Sequence, residues 1–147
     1  MPIPPPPEVA GVSLSGTTKY VITEEENRSL CRSVDVEPRP DGTAHPIYYY
    51  IATQVAMGKT VAGLCAACDF DVEDGPMMGT SKVSFFHPIK TEEPYTVTGE
   101  ILSLVRKNSR KLGVMDLLEY QLHLNAPDGT RVLTTTNSWV LPRKEVA

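Results

Sequence analysis

The spacing of apolar positions changes along the chain, and each change marks an element. The run Lys19-Tyr20-Val21-Ile22 predicts a short strand. Thr23, followed three residues later by Glu26, forms a capping box that starts a helix reaching about Val34, and three glutamates in its first turn suit the helix dipole. Residues 35–44, DVEPRPDGTA, hold two prolines and an Asp-Gly pair and are therefore loop. From His45, with Pro46 at the first helical position, a long helix is predicted through Tyr48, Tyr49, Tyr50 and Gln54 to Cys68. Its apolar positions (Ile47, Tyr50, Ile51, Val55, Leu64, Cys65) follow a helical period among small residues such as Ala52, Ala56, Gly58 and Gly63. A helix that is apolar nearly all round is a buried one. The segment 69–80, acidic and then rich in turn residues, ends it.

Beyond that point the period falls to two. Val83, Phe85 and His87 alternate with Lys82, Ser84 and Phe86 up to Pro88. Residues 95–106 place Tyr95, Val97, Ile101, Ser103 and Val105 on one side. Residues 112–124 place Leu118, Tyr120, Leu122 and Leu124 on one face, and the turn Ala126-Pro127-Asp128-Gly129 leads into a last strand over residues 130–141. Strand, helix, long buried helix and then four antiparallel strands make an α+β fold with the helices on one face of the sheet.

At 147 residues and 41% hydrophobic composition the chain holds one sizeable core. Residues 1–16, with five of the 13 prolines, are expected to be a flexible arm, leaving residues 17–147 as a single domain. Fourteen Lys and Arg against 18 Asp and Glu give a net charge of -4, which excludes a basic nucleic-acid groove. No apolar run is long enough for a membrane span, and the start MPIPPPP lacks the basic and apolar regions of a secretion signal, so a soluble, cytoplasmic protein is expected. Three cysteines, Cys31, Cys65 and Cys68, fit free thiols in a reducing compartment. Cys65-Ala-Ala-Cys68 has no second pair to complete a metal site, and His45, His87 and His123 lack ligand spacing, so packing is expected and no metal. Met57-Gly58-Lys59-Thr60 lacks the first glycine of a phosphate loop.

The stretch SKVSFFHPIKTEEPYTVTGEILSLVRK is similar to the part of MaoC-like acyl-thioester dehydratases where an aromatic-x-x-Pro-Ile/Val strand turns into a long strand ending in a basic pair. The tail DGTRVLTTTNSWVLPR resembles that family's last strand, and Tyr20 to Val34 together with Ala44-His45-Pro46-Ile47-Tyr48 resemble the amino-terminal type of MaoC-like domain. The resemblance covers residues 18–143 and implies a hotdog fold, a long central helix wrapped by an antiparallel sheet. It also implies hydration of an enoyl thioester or the reverse dehydration, with an Asp and a His before the long helix and a backbone N–H at the helix start. This chain departs from that pattern. It has no Asp-x-Asn-Pro-x-His sequence, Asp41 and His45 have a different spacing, and Pro46 stands where the family has a glycine N–H.

If the chain is catalytic by itself, His45 with Asp41 or Tyr48 must replace the missing pair, and Tyr49 is the candidate for lining the acyl pocket. Arg106, Lys107, Arg110 and Lys111 are the candidates for gripping the phosphates of coenzyme A. No cofactor is expected beyond coenzyme A or an acyl carrier arm as part of the substrate, and a homodimer or a heteromer with a second hotdog subunit is the expected assembly. The alternatives are a non-catalytic acyl-binding partner of a catalytic hotdog hydratase, and a hotdog acyl-CoA thioesterase, whose helical acid is missing from residues 46–68.

Overall fold

The computed structural model describes residues 2–146. In chain order it forms β1 (Tyr20–Val21), α1 (Glu24–Ser33), α2 (Tyr48–Ala56), α3 (Val61–Ala67), β2 (Met77–Phe85), β3 (Pro94–Ser109), β4 (Gly113–Asn125) and β5 (Arg131–Pro142), with short 3-10 turns at 72–74 and 144–146. The five strands form one antiparallel sheet in the order β1-β3-β4-β5-β2. Among the described residues no helix is long and apolar enough to cross a membrane.

The expected α+β architecture is present, and its local causes are visible. Thr23 Oγ1 accepts from the Glu26 N–H at 3.0 Å, while the Glu26 carboxylate accepts from the Tyr20 hydroxyl at 2.8 Å and ties α1 to β1. Leu118, Tyr120, Leu122 and Leu124 of β4 all turn inward, with Ile101, Leu133 and Leu141 beside them, onto the buried Tyr48 and Ala52 of α2. Each fully buried leucine contributes about 1.5–3 kcal/mol. Cys65 and Cys68 are buried free thiols in the same core.

Four expectations need correction. The expected arm packs on the fold along much of its length. The Gly11, Leu14 and Gly16 amides donate to the carbonyls of Ile101, Gly99 and Val97, so residues 11–16 continue β1 along the edge of β3, and Val9 and Leu14 are buried. Secondly, the long helix is two helices. The Gly58 N–H donates to Leu14 O at 2.8 Å instead of to a helical carbonyl, Met57 is extended, and Thr60 caps a new helix by accepting from Gly63 N at 3.0 Å. The arm crosses the helix break so closely that a Cβ on Gly58 would lie 2.3 Å from Ser15 O, and one on Gly16 1.9 Å from Ala56 O.

Thirdly, β2 begins at Met77, inside the segment expected to be turn. Fourthly, the alternation of β3 reverses at a bulge between Ile101 and Ser103, so Val105 faces out and Leu104 and Arg106 face in. That reversal removes Arg106 from the expected phosphate grip. Arg106 pairs across the ladder with Asp116 and binds it through both carboxylate oxygens, Nε at 2.7 Å and Nη2 at 3.0 Å. Arg143 Nε donates to Asp116 Oδ2 at 2.7 Å, and the same guanidinium donates to the carbonyls of Cys68 and Asp69 and lies over the Phe70 ring. Burial alone would raise the Asp116 carboxyl, but the hydrogen bonds from Arg106 and Arg143 outweigh it and hold the group below the usual carboxylate range. Arg106 Nη1 also donates to Pro4 O at 2.9 Å, which seats the proline segment.

Two stability predictions follow from these contacts. Replacing Asp116 by Asn leaves two cations without their shared partner and should lower the unfolding free energy at pH 7 by about 3–5 kcal/mol in urea titrations. Because the folded carboxyl ionises below its unfolded value of about 3.9, its contribution is complete above that value and is lost as pH falls through the lower, folded one. The gap between the two proteins should therefore narrow below about pH 4, and equal stability at pH 7 would contradict the ion cluster. Gly58→Ala should cost about 1–3 kcal/mol by forcing the arm off the helix break; a change under about 0.5 kcal/mol would mean the arm is not seated there.

Candidate functional site

The start of α2 is held from two sides. The loop before it pairs with the segment after β2, through Ala44 N to Ile89 O at 2.7 Å and Thr91 N to Gly42 O at 2.8 Å. From below, the buried Asn27 of α1 accepts the His45 N–H on Oδ1 at 2.9 Å. Between these supports opens a cleft of about 560 Å³, with Arg39, His45 and Pro46 on one wall and Phe85, Phe86 and Ile89 on the other. A mostly apolar cleft of that volume with a few convergent polar groups suits a small-molecule ligand.

The sequence candidates divide clearly. His45 reaches the cleft, but its ring Nδ1 accepts the Ile47 N–H at 3.1 Å. Pro46 has no N–H, and the Tyr48 and Tyr49 amides donate to the carbonyls of His45 and Pro46. The helix start thus has its amides occupied within its own first turn. Asp41 is not among the residues lining the cleft; its Oδ1 accepts the Thr43 N–H at 2.9 Å in an Asx turn, and that bond lowers its pKa. Tyr48 is only 1% exposed, and burial pushes its phenol up to about 12, so it packs the core. Tyr49 is half-buried, donates to or accepts from Ser81 Oγ at 2.9 Å and meets the cleft residue Phe85 edge to face at 6.2 Å.

Lys107, Arg110 and Lys111 are exposed around the β3–β4 hairpin. That hairpin is at the far end of β3 from Tyr95, whose hydroxyl accepts the Lys90 N–H beside the cleft, roughly 50 Å away along the strand. Within one chain the basic tip and the cleft are separate surfaces. The cationic groups at the cleft are others. Arg39 borders it and also an adjoining hollow of about 250 Å³ whose wall includes Arg28, and among the described residues neither guanidinium has an ion-pair partner. Glu37 lines a smaller hollow of about 80 Å³ together with His45. Sequence reasoning missed all three, since Arg28 sits on a short helix and Glu37 and Arg39 in a proline-rich loop. The one available signal, for Glu37 and Arg39, was proximity in sequence to His45. No cluster of acidic, His and Cys side chains among the described residues is placed to hold a metal ion.

Comparison with known proteins separates fold from sequence. No family model matches the chain, and no curated protein matches it. Solved structures do. The HadBC (3R-hydroxyacyl-ACP dehydratase) complex of Mycobacterium tuberculosis superposes with a TM-score of 0.70 at 12% identity, covering 91% of this chain and 98% of that one. The ChsH1-ChsH2 complex of the same organism gives 0.66 at 10% identity, over 89% and 83% of the two chains. A MaoC-like dehydratase of Rhodospirillum rubrum gives 0.64 at 13% identity, over 92% and 93%. Likeness over whole chains with so little shared sequence establishes the fold alone: this chain has the hotdog fold.

Proposed function

We propose that this chain is the acyl-binding subunit of an enoyl-thioester hydratase or hydroxyacyl-thioester dehydratase, whose acid–base pair comes from a second hotdog chain. The observation that carries this reading is the state of the α2 start. Hydration needs a base to take a proton from water, an acid to deliver one to the α-carbon, and an N–H for the thioester oxygen. At this cleft His45 Nδ1 accepts the Ile47 N–H, so the neutral ring carries its proton on Nε2 and has no free basic nitrogen, Pro46 offers no donor, and Asp41 is bound in its own turn.

What the chain does bring is a receptor. The acyl thioester would enter beside Phe85 and Tyr49, and the phosphates of coenzyme A or of a carrier arm would meet Arg39 and Arg28. The second chain has an obvious place. β2 ends the sheet with an open edge, and Met78 and Phe85 on it, Phe86 just beyond it and Val55 on α2 are 48%, 46%, 56% and 65% exposed. Such an edge invites pairing, and two of the solved structures similar to this chain are two-component complexes. A catalytic reading for the chain alone has one observation in its favour, the hollow shared by His45 and Glu37. The thioesterase reading has none on α2 or α3, which carry no acidic side chain.

Purified alone, the protein should bind both a short and a polycyclic enoyl-CoA without loss of the conjugated double bond. Turnover that His45→Ala and Glu37→Gln each abolish would replace the proposal by the catalytic reading, and absence of thioester binding would end both. In a second test, Met78→Lys combined with Phe85→Glu should leave the far-ultraviolet circular dichroism that of the folded chain and eliminate association in light scattering. Association that survives both charges would place the interface elsewhere.

A further inference from the structure

The loop between α1 and α2 is held more firmly than its composition suggests. Pro40 restricts Arg39 to extended backbone. The loop is also pinned to the segment after β2, because Thr91 donates both its N–H and its hydroxyl to Gly42 O, and Lys90 Nζ donates to Asp41 O at 3.3 Å. The hollow of about 250 Å³ between this loop and α1 is therefore walled by a placed Arg39 on one side and by Asn27 and Arg28 on the other.

Donors dominate that wall. Asn27 is 4% exposed, and its orientation is fixed, since Oδ1 accepts the His45 N–H at 2.9 Å and the Cys31 thiol at 3.8 Å. The end left over is Nδ2. It donates to no group among the described residues and is not sealed from open space, which makes it a free donor on a nine-tenths-buried side chain beside the hollow. Each guanidinium offers further N–H groups, and neither has an ion pair. Glu24 is the one acid on the wall; it is exposed and pairs with neither arginine. Free donors from three side chains around one small space suit the oxygens of a phosphate.

Arg39 also borders the cleft, so hollow and cleft meet at that side chain. A thioester lying with its acyl end beside Phe85 would bring the phosphate of its pantetheine arm to Arg39, and the hollow lies one step farther on. A carrier arm ends at that first phosphate, which is esterified to the carrier protein. Coenzyme A continues through a diphosphate and a ribose to a terminal 3′-phosphate. Two cationic stations in series match coenzyme A, whereas a carrier arm would leave Arg28 and Asn27 Nδ2 unused.

We infer that the hollow seats the 3′-phosphate of coenzyme A, held by Arg28, Arg39 and Asn27 Nδ2, and that the handle on the substrate is coenzyme A and not a carrier arm. This rests on the acyl-thioester reading above and selects between the two handles it allows.

The test is isothermal titration of the full chain with short enoyl thioesters of coenzyme A, of 3′-dephospho-coenzyme A and of 4′-phosphopantetheine. The coenzyme A thioester should bind at least about tenfold more tightly than either of the others, the order expected of charge-assisted hydrogen bonds. Arg28→Gln should remove most of that difference. Asn27→Asp should do the same, since it keeps the acceptor for the His45 N–H and turns the free donor into an acceptor. Lys111→Gln, at the distant hairpin tip, should retain the difference, which separates a built site from attraction by positive charge at large. If the three thioesters bind alike, or if the preference survives Arg28→Gln or is lost in Lys111→Gln, the inference fails while the thioester reading stands. If none of them binds, the thioester reading fails, and the inference with it. Arg28 is exposed, so Arg28→Gln decides the matter even if Asn27→Asp does not fold.

Discussion

A five-stranded sheet curled round a nine-residue helix does not close on itself, and most of this molecule follows from how its two edges are treated. One edge is sealed internally. Residues 11–16 lie along β3 and extend β1, and Gly16 and Gly58 let the arm cross the helix break at backbone contact. The other edge, β2, is left open with its aromatic residues exposed, and the candidate cleft opens at the end of that strand. The location of the cleft, the exposed edge of β2 and the break in the central helix are therefore connected consequences of one topological limit.

The buried charge cluster belongs to the same scheme. Asp116 is wholly buried yet carries two guanidinium partners, which join β3, β4, the end of α3 and the chain's C-terminal turn. Burying three charged groups is tolerable only because each hydrogen bond is made. The arrangement fixes the end of the sheet remote from the cleft, and so separates a stability centre from the binding surface.

Legibility in the sequence followed the distance over which each cause acts. The Thr23 cap, the alternation of β4 and the Pro127-Asp128-Gly129 turn are local, and they were readable. The break after Ala56 was not, because its cause is the Leu14 carbonyl on a distant segment of chain. Arg106 appeared to belong to an exposed basic run because one bulged residue reverses the faces of β3. Composition misled at the arm, where prolines suggested disorder and the burial of Val9 and Leu14 outweighs them. At the candidate site His45 was legible, but its neighbours Glu37 and Arg39 became visible only when the loop was folded against Ile89.

On the proposed reading the His45 ring serves the helix start through Nδ1 and does not move protons. Asparagine at this position can accept the Ile47 N–H in an Asx turn but cannot act as base or acid at neutral pH. The most direct measurement is the thioester hydration rate of the assembled enzyme carrying His45→Asn. The account predicts a rate within about twofold of the wild type, whereas loss of an acid–base group costs about 10²–10⁴-fold, and a fall of that size would contradict it.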